Sequence, residues 1–197
     1  MKILISLSGI VLMIISAGAT FAQTKPSNTM GLYYTLNDFL QHKLIYQTDC
    51  NKGKDKLKLH AFFGSSTGYI VSNGEKHAFN KSRIYGYHSC ENKNYRFYNQ
   101  AAYEILDTAG FYMYYQYKPE EQTKGKGLIK KDEYFFSKTG DEAIQLLTID
   151  NLKKAFPGNH AFHFSLDAEF KSDNELMAYD HFLGTYKVKY LYVQSVK

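Results

Sequence analysis

The side chains best suited to chemistry in this sequence are its tyrosines. The chain contains 18 Tyr, 14 Phe and no Trp, and many of the rings lie between residues 95 and 117. A tyrosine combines a flat apolar ring with a polar hydroxyl, which suits contact with sugars, peptides or other proteins. We therefore expect an aromatic ligand-binding surface, with Tyr95, Tyr112 and Tyr114 as its candidate contact residues.

Residues 111–117 carry rings on both faces if they form a strand. Strand side chains alternate between faces, so Met113 and Tyr115 point one way while Tyr112 and Tyr114 point the other. In the competing interpretation both faces are covered, one by the sheet interior and one by C-terminal helices, because aromatic residues favour strands anyway. The sequence leaves both interpretations open.

Catalytic signatures are missing from the sequence. It contains no GxSxG, SxxK or HExxH motif and no phosphate-binding glycine loop. Paired carboxylates that hydrolyse glycosides need a defined separation, which a sequence does not give. We expect a non-enzymatic module and keep a hydrolase acting on a polysaccharide or peptide as the alternative. The candidate acids for such a pair are Glu104, Asp107, Asp132 and Glu133.

Metal, cofactor and nucleic-acid binding are not expected. His160 and His163 are three residues apart in a helical pattern, but no carboxylate or thiolate lies at a supporting spacing. The formal net charge of +5 comes from lysines scattered among acids, which differs from the basic patch of a nucleic-acid-binding protein. We interpret the lysine-rich stretch 118–131 as a solvated loop, with contact to an anionic surface such as lipopolysaccharide as the alternative.

Residues 1–22 have the pattern of an export signal. Lys2 supplies positive charge, residues 3–15 are almost entirely apolar, and Thr20-Phe21-Ala22 offers a cleavage point before Gln23. The apolar run is shorter than the about 20 residues that span a bilayer. We expect a cleaved signal peptide and a periplasmic or secreted protein without a stable membrane span. An uncleaved anchor is the alternative.

The two cysteines, Cys50 and Cys90, both follow the signal sequence. Export to an oxidising compartment favours a disulfide between them. Closing a loop of about 41 residues would stabilise the fold by roughly 4 kcal/mol. Two free buried thiols are the competing interpretation.

Residues 23–197 have the length of a single domain, and their pattern predicts an α+β fold. Extended, aromatic runs joined by short turns predict a mainly antiparallel β-meander over about residues 43–137, since parallel crossovers need a dozen or more residues. Asn73-Gly74 between two such runs predicts a hairpin. Residues 107–110 predict a second one, because glycine stands where a left-handed residue is needed.

The periodicity changes after Leu147, where a C-terminal group of helices is predicted to pack against the sheet. Thr148 and Asn159 are suitable caps for two helices, and Ser172 with Glu175 forms a capping-box pattern for a third. Residues 186–193 fit either a strand or a helix, and the preceding Gly184 slightly favours an extended tail.

Several short runs form a recognisable pattern along the chain. They are Ile84-Tyr85-Gly86-Tyr87 followed by Cys90, Tyr95-Arg96-Phe97-Tyr98, Tyr103-Glu104-Ile105-Leu106, Leu147-Thr148 and Asn151-Leu152-Lys153-Lys154-Ala155-Phe156-Pro157. In these runs the chain resembles a group of uncharacterised exported proteins from Bacteroidota-type Gram-negative bacteria. The resemblance implies localisation in the cell envelope. It implies no activity, ligand or catalytic residue.

Together these features predict an exported binding or accessory module. Its partner would be an envelope protein or a glycan, bound by an aromatic sheet face or by the cleft between sheet and helices. Location and dispersed acids are the only support for the hydrolase alternative.

Overall fold

The computed structural model describes residues 28–51, 56–59, 65–121 and 128–197, without the side chains of residues 118–121 and 128–131. The expected signal peptide, residues 1–22, lies outside the described residues. Within these ranges, no helix has the length and apolar character needed to cross a membrane.

Strands dominate the fold up to residue 146, and helices follow them. In chain order, strands β1 to β13 are Thr29–Tyr33, Ile45–Asp49, Lys56–Lys58, Thr67–Ser72, Glu75–Asn80, Gly86–His88, Asn94–Tyr98, Ala101–Asp107, Tyr112–Glu121, Leu128–Ser137, Gln145–Leu146, Tyr179–Asp180 and Thr185–Tyr186. Helices α1 to α4 are Leu36–Leu40, Ile149–Ala155, His160–Glu169 and Lys187–Ser195, and 3-10 turns occur at Lys81–Arg83 and Asp173–Met177.

The main sheet has eight strands in the order β11-β10-β9-β8-β7-β6-β1-β2, and every pairing is antiparallel. This confirms the α+β class with a largely antiparallel meander and C-terminal helices. The structure adds two details. Strand β1 precedes the predicted meander and inserts between β6 and β2, and strands β3, β4 and β5 form a separate three-stranded sheet.

Two layers cover opposite ends of the same face of the main sheet, which we call the front face. The small sheet contributes Ile70 and Phe79 to a core with Leu32, Tyr87 and Phe97 at one end. At the other end the C-terminal helices pack on β9 and β10, with a core formed by Phe111, Met113, Phe136, Leu147, Leu152, Phe162, Leu166, Phe170, Leu176 and Val188.

The opposite, back face carries a third core formed by Tyr103, Tyr114, Phe135 and Ile144. Residues 138–144 cover this face, because the carbonyl of Glu142 accepts a hydrogen bond from the buried Arg96 at 2.8 Å. Both faces of the main sheet are therefore partly covered.

The two predicted hairpin turns are confirmed. Asn73 and Gly74 join β4 to β5 with φ of 53° and 84°, and Gly110 joins β8 to β9 with φ of 75°. The predicted loop over 118–131 is wrong for most of its length. Strand β9 continues to Glu121 and β10 begins at Leu128, where Leu128 pairs with Glu121.

The prediction for the C-terminal region is partly wrong. Thr148 and Asn159 cap α2 and α3 as expected. Ser172 makes no side-chain cap, and the segment forms only a short 3-10 turn, because the Glu175 carboxylate accepts a bond from the backbone N–H of Lys171 instead. A β12–β13 hairpin then occupies the place of the expected third helix.

The extended tail favoured for residues 186–193 is also wrong. Residues 187–195 form helix α4, in which Val188 and Lys189 are fully enclosed. On the same helix Tyr192 packs against Phe111 and Phe162. Burial of this helical stripe outweighs the alternating pattern of tyrosines that suggested a strand.

Cys50 and Cys90 are joined, with their sulfur atoms 2.08 Å and their Cα atoms 5.6 Å apart. Cys50 directly follows β2 and Cys90 lies just after β6, and these strands are the two neighbours of β1. The bridge therefore connects the chain on both sides of the inserted strand.

Candidate binding surface

A row of side chains crosses the front face between its two covering layers. Tyr95 of β7 lies opposite Glu104 of β8, Glu104 lies opposite Tyr115 of β9, and Tyr115 lies opposite Tyr134 of β10. Directly opposite residues on neighbouring strands share a face of the sheet. The row therefore places three tyrosines and one carboxylate side by side.

A second pair extends this row along β9 and β10. Tyr117 is two residues beyond Tyr115 and lies opposite Asp132, so both share the front face. We call the resulting surface the tyrosine platform. It consists of Tyr95, Glu104, Tyr115, Tyr117, Asp132 and Tyr134.

The platform is bounded on both sides, and its members are partly or largely exposed. Tyr95 borders the core beneath the small sheet, and Tyr134 borders the core beneath the helices. Tyr117 is 47% exposed, Asp132 is exposed, and the other members are half-buried. Half-buried rings on a sheet are fixed in position while part of each remains available for contact.

Hydrogen bonds between hydroxyls and carboxylates hold the platform side chains in place. The Tyr115 hydroxyl donates to Asp132 Oδ1 at 2.7 Å. This bond, followed by burial, raises the pKa of Tyr115 to about 12. The pKa of Tyr95 is raised to about 12 by burial and by the nearby Glu104 and Glu91 carboxylates. Both hydroxyls therefore stay protonated at neutral pH.

Glu104 has a cationic as well as an aromatic neighbour. Its Oε2 lies 3.0 Å from the Lys93 Nζ, and its side chain is 14% exposed. Rings also support each other at both ends of the row. Tyr95 stacks on Tyr87 with centroids 4.5 Å apart, and Tyr115 and Tyr134 meet at 5.5 Å.

The structure separates the four acids that the sequence offered for a catalytic pair. Glu104 and Asp132 share the platform, whereas Glu133 lies opposite Gln116 on the back face. The Asp107 carboxylate is turned to Lys189, with Oδ1 and Nζ 3.3 Å apart. Glu104 and Asp132 are therefore the pair that faces the platform.

The three predicted ligand contacts are not brought together. Tyr95 belongs to the platform, but Tyr112 and Tyr114 lie on the back face. Tyr114 is fully buried, where its hydroxyl meets Arg96 and Ser137 at 3.0 and 2.9 Å. Tyr95 therefore lies on a partly exposed surface, whereas Tyr114 lies in the interior.

The predicted absence of a histidine metal site stays a prediction. His163 Nε2 lies 2.9 Å from the carbonyl oxygen of Phe156, and its ring centroid is 6.0 Å from that of His160. Within the described ranges no group of three or more metal-binding side chains occurs.

Sequence reasoning missed Tyr115, Tyr117 and Tyr134 as surface residues. Alternation along 111–117 placed Tyr115 and Tyr117 on one face, but that face also carries the deeply buried Met113. The register of the β9–β10 hairpin would have shown Tyr134 beside Tyr115. Because the sequence predicts a loop over 118–131, it does not give this register.

Comparison with known proteins gives no relative from which a function can be inferred. No protein-family model, curated protein sequence or solved structure matches this chain.

Proposed function

We propose that this protein is an exported, non-enzymatic module that binds a carbohydrate on the tyrosine platform. One observation carries the proposal. The registers of four consecutive strands align Tyr95, Glu104, Tyr115 and Tyr134 in a single row on the front face, and each of the four stays partly exposed.

The chemistry of the row matches a sugar better than a purely apolar ligand. Aromatic rings provide flat apolar contact for the C–H face of a pyranose, and tyrosine hydroxyls supply polar contacts at the ring edge. The Glu104 and Asp132 carboxylates are acceptors for the many hydroxyl donors of a sugar, and hydrogen bonds to charged acceptors are the stronger kind.

The charge of the platform selects among sugars. Among the side chains that the structure describes, it has two carboxylates, Glu104 and Asp132, and an adjoining cation, Lys93. Acidic polysaccharides would be repelled by the excess negative charge, and neutral or amino sugars would not. We therefore assign neutral and N-acetylated glycans as the ligand class.

An extracellular or periplasmic location supports this choice, since polymeric glycans are abundant outside the cytoplasm. Two features favour export in this proposal. They are the signal pattern of residues 1–22 and the bond between Cys50 and Cys90, because disulfides persist in oxidising compartments.

A direct test measures binding of the exported chain to oligosaccharides of glucose and of N-acetylglucosamine by titration calorimetry. Replacing Tyr117 by Ala removes an exposed ring without disturbing the core. We expect at least a tenfold loss of affinity, about 1.4 kcal/mol. The matched control is Tyr34→Ala, because Tyr34 is 55% exposed between β1 and α1 and lies outside the platform, so the affinity of this variant should change less than twofold. Absence of binding to both glycans, or equal loss in both variants, would overturn the proposal.

The hydrolase alternative is supported by the shared platform position of Glu104 and Asp132. It predicts that the chain releases reducing sugar from a bound polymer and that Glu104→Gln abolishes this release. Binding without release of reducing sugar supports the non-enzymatic module. Release that depends on Glu104 would replace it with the hydrolase.

A further inference from the structure

The β12–β13 hairpin presents a phenylalanine to solvent on an ordered turn. Phe182 is 96% exposed. The turn that carries it is fixed by Asp180 Oδ1, which accepts hydrogen bonds from the backbone N–H groups of Phe182 and Leu183 at 2.9 and 3.0 Å. Gly184 completes the turn with φ of 64°. The exposure of Phe182 is therefore a property of a defined conformation.

A pocket of about 280 Å³ lies beside this hairpin, between the hairpin, α3 and α4. Its wall is apolar at Leu183, Tyr190 and Leu191. Its polar side is formed by Glu169, Asp180 and Lys187, with Lys187 Nζ 3.0 Å from Glu169 Oε1. A cavity of about 150 Å³ is large enough for a benzene ring, so this pocket accommodates a phenylalanine side chain.

The projecting ring and the pocket belong to one apolar patch. Tyr179, Leu183 and Tyr190 are 44%, 48% and 40% exposed, and all lie on the hairpin or on the pocket wall. Keeping a large apolar side chain in water costs about 1.5–3 kcal/mol compared with burying it. Contiguous exposed apolar patches commonly mark interaction sites.

We propose that a second copy of this chain occupies the patch, in a two-fold symmetric dimer in which Phe182 of each copy enters the pocket of the other. A projection and a matching cavity on the same surface are what an isologous contact requires, because each copy supplies both halves. The polar groups also match. The pocket has two carboxylates and one lysine, and the residue next to Phe182 is His181, whose ring N–H can donate to a carboxylate.

Dimerisation would place two tyrosine platforms in one particle. A glycan with repeated units could then engage both, which raises avidity without any new contact to the sugar. The dimer itself does not depend on the platform binding a glycan, so the two proposals can fail separately.

Sedimentation velocity over a concentration series tests the dimer in the absence of glycan. We expect concentration-dependent dimerisation of the native chain and a rise of about 100-fold or more in the dimer dissociation constant for Phe182→Ser. Phe164→Ser is the matched control, since Phe164 is 78% exposed on α3 away from the pocket wall, and it should dimerise like the native chain.

A mixing experiment distinguishes insertion of Phe182 into the pocket from nonspecific association. Leu183→Trp, at a half-exposed position on the pocket wall, should fill the pocket while leaving Phe182 in place, and it should be monomeric alone. Mixed with Phe182→Ser it should form a weak heterodimer, because one intact projection then meets one intact pocket. A monomeric native chain, equal effects of the Phe182 and Phe164 variants, or no heterodimer in the mixture would overturn the proposal.

Discussion

Lys189 and Arg96 are two of the buried cations of this protein, and their surroundings differ. The Nζ of Lys189 is 3.3 Å from Asp107 Oδ1, bonds to the carbonyl of Phe111 and lies 4.3 Å from the centre of the Phe111 ring. The guanidinium of Arg96 contacts a hydroxyl pair and one carbonyl instead. Each arrangement predicts a measurable effect on stability.

Burial lowers the pKa of Lys189 from 10.5 to about 8, although Asp107 opposes the shift. Between these values the unfolded chain binds more protons than the folded chain, so the free energy of unfolding rises with pH. Relative to Lys189→Met, the native chain should gain about 2 kcal/mol between pH 7 and pH 10. Urea unfolding of both chains at four pH values measures this difference. The tyrosines are the same in both chains, so their titration cancels in the comparison.

The matched control for this prediction is Lys154→Met, because Lys154 is exposed on α2. Its stability should differ from that of the native chain by a constant amount across the same pH range. A constant difference for Lys189→Met as well would show that the lysine is not held in a desolvated state.

Arg96 donates to the Tyr114 hydroxyl at 3.0 Å, to the Ser137 hydroxyl at 3.4 Å and to the Glu142 carbonyl at 2.8 Å. Replacing it by Met leaves these buried groups without their donor. We expect a loss of about 3 kcal/mol in the free energy of unfolding, measured by urea denaturation. The exposed Arg83→Met is the control, with a change below about 0.5 kcal/mol. Similar values for both variants would contradict this role.

At the scale of elements, local signals predicted turns and caps well. Asn73-Gly74, Thr148 and Asn159 act as their residue types suggested, because the turn and the capping bonds that they form lie within their own segments. The expected loop over 118–131 failed, since the long β9–β10 pairing outweighs the charge and glycine content of the segment. Residues 186–193 failed for a similar reason, because burial of α4 is decided by Phe111 and Phe162, which are distant in sequence.

The turn before β9 gives a test at this scale. Gly110 has φ of 75°, and a Cβ placed there would lie 2.8 Å from a ring carbon of Tyr192. Gly110→Ala should therefore lower the free energy of unfolding by about 2 kcal/mol. Gly158→Ala, where a Cβ meets no atom within 4 Å, should leave the stability nearly unchanged. Thermal unfolding of both variants and the native chain measures the two effects. A neutral Gly110→Ala would mean that the turn adapts.

At the scale of the whole molecule, the sequence predicted the α+β class and the pairing of Cys50 with Cys90. It did not predict the platform, because that surface depends on which strands are neighbours and on where the two covering layers stop. Tyr95 could be selected from ring density alone. Its partners Glu104, Tyr115 and Tyr134 required the register of four strands.

The bond between Cys50 and Cys90 holds the strands on both sides of β1. Replacing both cysteines by serine should lower the free energy of unfolding by roughly 4 kcal/mol, since it frees a loop of about 41 residues in the unfolded chain. Comparing urea denaturation of the native chain with and without reductant should give the same loss. No change on reduction would contradict a stabilising bridge.

We propose above that the tyrosine platform binds a neutral or N-acetylated glycan, and amide chemical-shift mapping tests this binding most directly. Titrating the labelled protein with an N-acetylglucosamine oligosaccharide should shift amides near residues 93–95, 102–104, 115–117 and 132–134. An acidic oligosaccharide of the same length should leave them in place. Shifts confined to the pocket beside Phe182, or no shifts with either sugar, would contradict the claim.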